Sequence, residues 1–301
     1  MDFFFQKNLE ARNPLVLCIG DLMVDYIIYS EGLDDGIFEK PEPAIGGTGI
    51  NAAKEFKKIN IDPVVFGKVG NDPEGKQLVK FLRKNEIPYV LDHSSDLHTG
   101  NVYLVYYKKQ DKRLMIYDKD NTNDYDLNNL KIAVNKLKIR PGDIAFLMCH
   151  PFANFETPHS REIIDILANS PFKIIIDIVP HNIYVKRSLQ EFNSIIRDKV
   201  DVIISEYFTL MNLIGSGPFP VEPTPNEISL IANNFAARML VLRYGGQGSI
   251  DVQLVIRFSG DGKYEILEKI NTGYSALDSA EKRSFGDVLT ARFVKEFILM
   301  E

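Results

Sequence analysis

Positive charge is in short supply in this chain: 35 lysines and arginines face 41 acidic residues, a formal net charge of −6 over 301 residues. A surface built to hold a polyphosphate backbone needs clustered Lys and Arg, so nucleic acid is not the expected partner. Cysteine is scarcer still. Cys18 and Cys149 each lie in an apolar run, Leu15-Val16-Leu17-Cys18-Ile19 and Ile144-Ala145-Phe146-Leu147-Met148-Cys149, which reads as two small buried thiols in a reducing cytoplasm and leaves no disulfide framework. No run reaches membrane-spanning length, and Met1-Asp2-Phe3-Phe4-Phe5-Gln6 lacks the positive start and long apolar core of an export signal. The expectation is a soluble, cytoplasmic protein with no membrane partner. The five histidines show no metal-ligand spacing, so no protein-held metal is expected, and no segment repeats.

What is present is a core-forming chain, 45% hydrophobic and 25% charged. Apolar, β-branched runs at 15–19, 63–69, 144–148, 173–177, 202–205 and 239–243 predict central strands covered on both faces. Between them, helical spacing predicts helices over 50–59, 73–85, 157–168, 188–198 and 227–237. Alternation of this kind implies βαβ units, hence a three-layer αβα fold of the α/β class with a mostly parallel sheet, as one domain over 1–301. Two regions break the rhythm. Residues 25–30 with 37–43, and 100–107 with 113–117, alternate like short hairpin strands and predict a small β lid, about 25–43 and 100–117, over the C-terminal edge of the main sheet. The proline-rich stretch 215–225 reads as a loop.

Gly46-Gly47-Thr48-Gly49-Ile50-Asn51-Ala52-Ala53 is the first segment with chemical content. It contains G-x-G-x-x-A, the dinucleotide pattern, but Pro41 and Pro43 just upstream spoil the buried strand that pattern needs, so a Rossmann oxidoreductase is rejected. Two readings stay open on the residues alone. One is a glycine turn that lets backbone approach a polyol, with the Asn51 amide both donating to and accepting from hydroxyls; the other is a plain helix start with Asn51 as a local cap. Gly20-Asp21-Leu22-Met23-Val24-Asp25 follows the first predicted strand, where Asp21 either meets a ligand or caps a turn. Near the other end, Ser284-Phe285-Gly286-Asp287 opens the apolar helix pattern 288–299. Backbone amides at such a helix start suit an anion, and Asp287 there either complements the dipole or acts as a base. Cys149-His150-Pro151 and the tyrosines 103, 106 and 107 read better as loop and packing residues than as ligands.

Together these segments, with Gly67-Lys68-Val69-Gly70-Asn71-Asp72-Pro73-Glu74-Gly75, Thr99-Gly100 and Val241-Leu242-Arg243-Tyr244-Gly245-Gly246-Gln247-Gly248, resemble the ribokinase-like (PfkB-type) carbohydrate kinases. The resemblance implies a kinase that uses ATP and Mg2+ to phosphorylate a hydroxyl of a sugar or nucleoside-like molecule. By that resemblance Asp21, Asp25, Gly46, Gly47 and Asn51 hold the substrate, Ser284, Phe285 and Gly286 form the anion hole, and Asp287 is the base. Glu206, Arg243, Gly245 and Gly248 lie on the nucleotide side, and a homodimer through the lid is the expected assembly. The chain also departs from the family. Ser284 and Phe285 stand where Gly and Ala are usual, Ser205-Glu206-Tyr207-Phe208 replaces an Asn-x-x-Glu segment, and the sequence ends at Glu301, where relatives continue into a helical segment that walls the adenine pocket. These departures open an alternative, a catalytically weak relative that keeps a sugar pocket and serves as a regulatory or structural protein.

Overall fold

A computed structural model describes residues 1–4, 13–31, 40–107, 112–117, 125–148, 159–178, 189–215, 221–246, 250–259, 263–274, 277 and 285–300. In chain order the strands are β1 Asp2–Phe4, β2 Leu15–Ile19, β3 Met23–Ser30, β4 Glu42–Gly46, β5 Asp62–Gly70, β6 Tyr89–Ser94, β7 Gly100–Tyr107, β8 Lys112–Tyr117, β9 Ile144–Met148, β10 Lys173–Ile178, β11 Val202–Glu206, β12 Met239–Tyr244, β13 Val252–Phe258 and β14 Tyr264–Asn271. The helices are α1 Thr48–Lys58, α2 Pro73–Lys84, α3 Leu127–Leu137, α4 Ser160–Ala168, α5 Leu189–Ile196, α6 Tyr207–Ile214, α7 Pro225–Asn234 and α8 Phe285–Met300.

Ten strands form the main sheet, in the order β1-β6-β5-β2-β9-β10-β11-β12-β13-β14. The seven from β6 to β12 run parallel, and β1, β13 and β14 pair antiparallel at the two edges. Side chains alternate across the sheet with period two, and the sequence fills both faces with apolar residues. Leu15, Leu17 and Ile19 of β2 pack under α3 to α7, while Val16 and Cys18 pack under α1, α2 and α8. Three layers result. Cys18 is buried, which pushes its thiol well up and leaves it unreactive; Cys149, His150 and Pro151 lie outside the described residues. Among the described residues no helix is long and apolar enough to cross a membrane.

The segments expected to form a lid make a second sheet of four strands, β4-β3-β7-β8, called the lid below for its expected place. Its first hairpin strand starts at Met23, opposite Gly46 and Gly100, and the second predicted strand begins at Glu42; positions 37–39 lie outside the described residues. Pro43 sits in β4, an edge strand of this small sheet, the kind of strand in which proline is tolerated. The strand before Gly47 therefore does not belong to the main sheet, as the rejection of a dinucleotide fold requires. Tyr103 stacks on Tyr26 with ring centroids 5.2 Å apart while staying exposed on its other side, and Tyr106 lies 5.6 Å from Tyr29.

Some elements depart from the expectations. The expected loop 215–225 ends in helix: Pro225 is the first residue of α7, and Thr224 and Glu227 close a reciprocal capping box before it. That helix stops at Asn234, because Phe235 is extended. Strands β1, β6, β13 and β14 and helices α3 and α6 were not anticipated.

Candidate active site

Two short segments at the C-terminal edge of the main sheet bring the first group of candidate residues together. After β2 the chain turns at Gly20-Asp21, and this turn is locked onto the start of α1. The Asp21 N–H donates to Oγ1 of Thr48 at 3.1 Å, the Gly49 N–H donates to the Asp21 carbonyl at 3.1 Å, and the buried Tyr125 hydroxyl donates to the Gly20 carbonyl at 2.9 Å. Glycines make this approach possible. Gly47 has φ +84°, and a Cβ on it would fall 2.3 Å from the Asp21 carbonyl oxygen. A Cβ on Gly46 would fall 2.1 Å from Oδ2 of Asp25, so the Asp25 carboxylate lies directly over the Gly46 backbone. Asn51 is not the cap of α1. Gly47 holds that position with no side-chain bond, while the half-buried Asn51 lies one turn in, its Oδ1 accepting from Lys54 Nζ at 3.3 Å. Asp21, Asp25, Gly46, Gly47 and Asn51 thus gather where the lid meets α1, with Asp21 itself buried.

The next turn repeats the device. Asp72 caps α2, its Oδ1 accepting from the Gly75 N–H at 2.7 Å and from the Thr99 hydroxyl at 2.7 Å, and its Oδ2 from the Thr99 N–H at 2.6 Å. Burial works against the charged form, but these donors win and hold the Asp72 carboxyl below its ordinary value. The bonds fix the start of β7, and with it the lid, to the main sheet.

The second cluster lies under the start of α8. Register places Glu206 beside Arg243 and Arg243 beside Gln253, while Asp177 sits opposite Ile204; period two then puts all four polar side chains on the α1/α8 face. Arg243 is buried there. Its Nε donates to Oε1 of Gln253 at 3.0 Å and its Nη2 to the Thr290 hydroxyl at 2.7 Å. That hydroxyl donates in turn to Oδ2 of Asp177 at 3.2 Å, and Nη1 of Arg243 lies 3.9 Å from the same oxygen.

Asp287 occupies the first turn of α8, against α1. Burial and the Asp177 charge push its carboxyl up to about 7; Arg243 opposes this, Glu55 adds to it, and Lys54 opposes it again. Glu206 is likewise pushed up to about 7 by burial, with Arg243 lowering and Asp177 raising it. Burial also raises Asp177, against the pull of Arg243 and the Thr290 hydrogen bond. One guanidinium therefore balances three carboxyl groups in a region of low dielectric. Burial draws Arg243 down from its ordinary value while the carboxylates hold it up, and it stays a cation.

A Cβ on Gly286 would stand 3.9 Å from Nη1 of Arg243, so the backbone at the start of α8 and the guanidinium share one space. The Phe285 ring lies against Tyr274, with centroids 5.6 Å apart. Gly245 follows β12 at the same edge, whereas Ser284 and Gly248 lie outside the described residues. Asp177, Gln253 and Thr290 were missed in the sequence. Their signal was a polar residue on an otherwise buried face, at the end of Ile174-Ile175-Ile176-Asp177 and inside Val288-Leu289-Thr290-Ala291.

Comparison with known proteins decides the family. Residues 13–250 match the profile of the pfkB family carbohydrate kinases. The chain belongs to that family. An ATP-dependent 6-phosphofructokinase of Thermoanaerobacterium thermosaccharolyticum is 29% identical over 124 residues, 41% of this chain. The matched stretch spans only 38% of that enzyme's length. Among solved structures, ribokinase from Giardia lamblia superposes with a TM-score of 0.70 at 14% identity, covering 94% of this chain and 86% of that one. Adenosine kinase from Sinorhizobium meliloti gives a TM-score of 0.69 at 15% identity over 96% and 88% of the two chains. At such identity the superpositions speak for the fold. This pfkB member keeps the ribokinase architecture and places an arginine at the centre of its carboxylate cluster.

Proposed function

We propose that the protein is a kinase that moves the γ-phosphoryl group of ATP to a hydroxyl of a sugar or nucleoside-like small molecule. The observation that carries this reading is Asp287 in the first turn of α8 with the Arg243 guanidinium beside the Gly286 backbone. Phosphoryl transfer needs in-line positioning, a group to take the hydroxyl proton, and positive charge around the moving phosphoryl. Asp25, the Gly46-Gly47 turn and Asn51 hold the acceptor. Its hydroxyl oxygen bonds to the γ-phosphorus as the bond to the β-phosphate oxygen breaks, the proton passes to the Asp287 carboxylate, and ADP leaves. Amides at the start of α8, Gly286 included, and the fixed Arg243 cation meet the charge on the phosphoryl group. Gly245 lets the nucleotide approach the end of β12.

The donor set fits a divalent ion carried in on nucleotide phosphates. Among the described residues no three His, Cys, Asp or Glu side chains are grouped to hold an ion. Mg2+ ordinarily takes one or two carboxylates together with substrate phosphates, and Glu206 at the end of β11 supplies such a carboxylate. Bound there, Mg2+ would neutralise charge on the β- and γ-phosphates.

One observation favours the alternative of a weak catalyst acting in regulation. The Phe285 ring, at a position where the resemblance expects alanine, fills space against Tyr274 at the start of α8, where a donor phosphate would have to approach. The outer lid face exposes Tyr103, Leu114 and Ile116, an apolar patch that we assign to contact with a second copy of the chain.

A thermal-shift panel of sugars, nucleosides and Mg-nucleotides tests the reading, because a ligand that binds only the native state raises its melting temperature. A kinase responds to a Mg-nucleotide and to one class of polyol. A response to polyol alone supports the regulatory reading, and no response to either class contradicts both.

A further inference from the structure

Helix α2 carries lysines at three successive turns, Lys76, Lys80 and Lys84, all exposed. They line one wall of a groove of about 640 Å3, together with Arg83; His93 of β6 and the Gly70-Asn71 turn line the rest. Among the described residues no carboxylate lines this groove. Five other lysines, Lys57, Lys58, Lys173, Lys199 and Lys269, each face a carboxylate. Lys76, Lys80 and Lys84 make no ion pair among the described residues, although the chain as a whole carries −6. Like charges at i and i+4 repel along a helix face, and this face bears two such pairs in sequence. Arg83 is fixed in place, its Nε donating to the Tyr89 hydroxyl at 2.7 Å and its Nη2 to Asp2 at 3.0 Å. Eight residues of helix span about 12 Å, so the three ammonium groups are spaced for an anion with more than one charged centre.

We infer that the groove between α2 and the ends of β5 and β6 is a binding site for a small polyanion carrying two or more phosphate groups, separate from the catalytic centre. The volume is that of a small-molecule site, and flexible ammonium groups along one wall act as point charges for phosphate oxygens. None of the groove residues belongs to the Asp25 or Asp287 clusters. The site therefore stands or falls independently of the kinase reading.

The test is calorimetric titration with inorganic tripolyphosphate, without nucleotide or sugar, of the wild-type chain and of Lys76→Gln/Lys80→Gln/Lys84→Gln. All three side chains are exposed, so an unchanged melting temperature confirms that the variant folds. Saturable binding by the wild type, weakened roughly tenfold or more in the triple variant and partly in each single variant, is the expected result. Equal affinity in wild type and triple variant would mean that the anion binds elsewhere and would overturn the assignment, as would the absence of saturable binding to the wild type.

Discussion

The Asp25 carboxylate occupies the place that a side chain on Gly46 would need, with Oδ2 only 2.1 Å from an added Cβ. Gly46 is thus paired with Asp25 as a residue whose lack of a side chain lets a charged group reach the proposed acceptor pocket. Gly46→Ala is expected to push the carboxylate aside and raise KM for the acceptor about tenfold or more, with a smaller change in kcat, as loss of binding common to ground and transition states does. Steady-state kinetics on the acceptor identified by thermal shift checks this. Asp25→Ala is the stronger lesion, removing a charged hydrogen-bond acceptor at a cost of about 1.5–3 kcal/mol. Acceptor affinity unchanged in both variants would take Asp25 out of the pocket.

If Asp287 is the base of the proposed reaction, its titration sets the pH dependence of turnover. A base with a carboxyl pushed up to about 7 is mostly protonated below that pH, so kcat/KM is expected to rise with pH through about 7. A profile flat from pH 5 to 8 would remove Asp287 from the role of base.

Stability follows the opposite sign. The ordinary Asp value is 3.8, and in the folded protein Asp287 is raised to about 7. Between those values the native state binds more protons than the unfolded chain, so stability falls as pH rises from about 4 to 7 and levels off above. Glu206, also raised to about 7, adds to the same trend. Asp287→Asn removes one contribution and is expected to make the protein more stable at pH 8, on the order of 1 kcal/mol or more, with little effect at pH 4. Urea unfolding at the two pH values provides the comparison.

Arg243 is the counter-charge of the whole cluster. Replacing it with Met leaves Asp177, Glu206 and Asp287 without their cation and is expected to destabilise the fold by about 3–5 kcal/mol at pH 8. The loss should shrink at low pH, where the carboxyls are neutral. A pH-independent loss would trace it to packing alone.

How much of this was legible in the sequence varies with the kind of signal. The parallel strands β2, β5, β9, β10, β11 and β12 are continuous apolar runs because both faces are covered, and such runs are hard to mistake. β14 was missed for the converse reason: it is an edge strand, mostly exposed, with no buried face to impose a pattern. Helix α6 starts directly after β11, and its N-cap, Glu206, makes no side-chain bond, so no local signal marks its start. Asp25, Gly47, Asn51 and Asp287 could be named as candidates because they stand in the short motifs that carry the family resemblance. Asp177 and Thr290 come together only across 113 residues, by strand register and helix docking, and no local pattern carries that.

The most direct test of the central claim is transfer of labelled γ-phosphate from Mg-ATP to the identified acceptor, measured for wild type and Asp287→Asn. The substitution keeps shape and removes charge. Detectable turnover in the wild type, lowered about 10²-fold or more in the variant with nucleotide binding retained, is the predicted result. A wild-type protein that binds acceptor but neither binds nor consumes any nucleotide, or a variant as active as wild type, would contradict it.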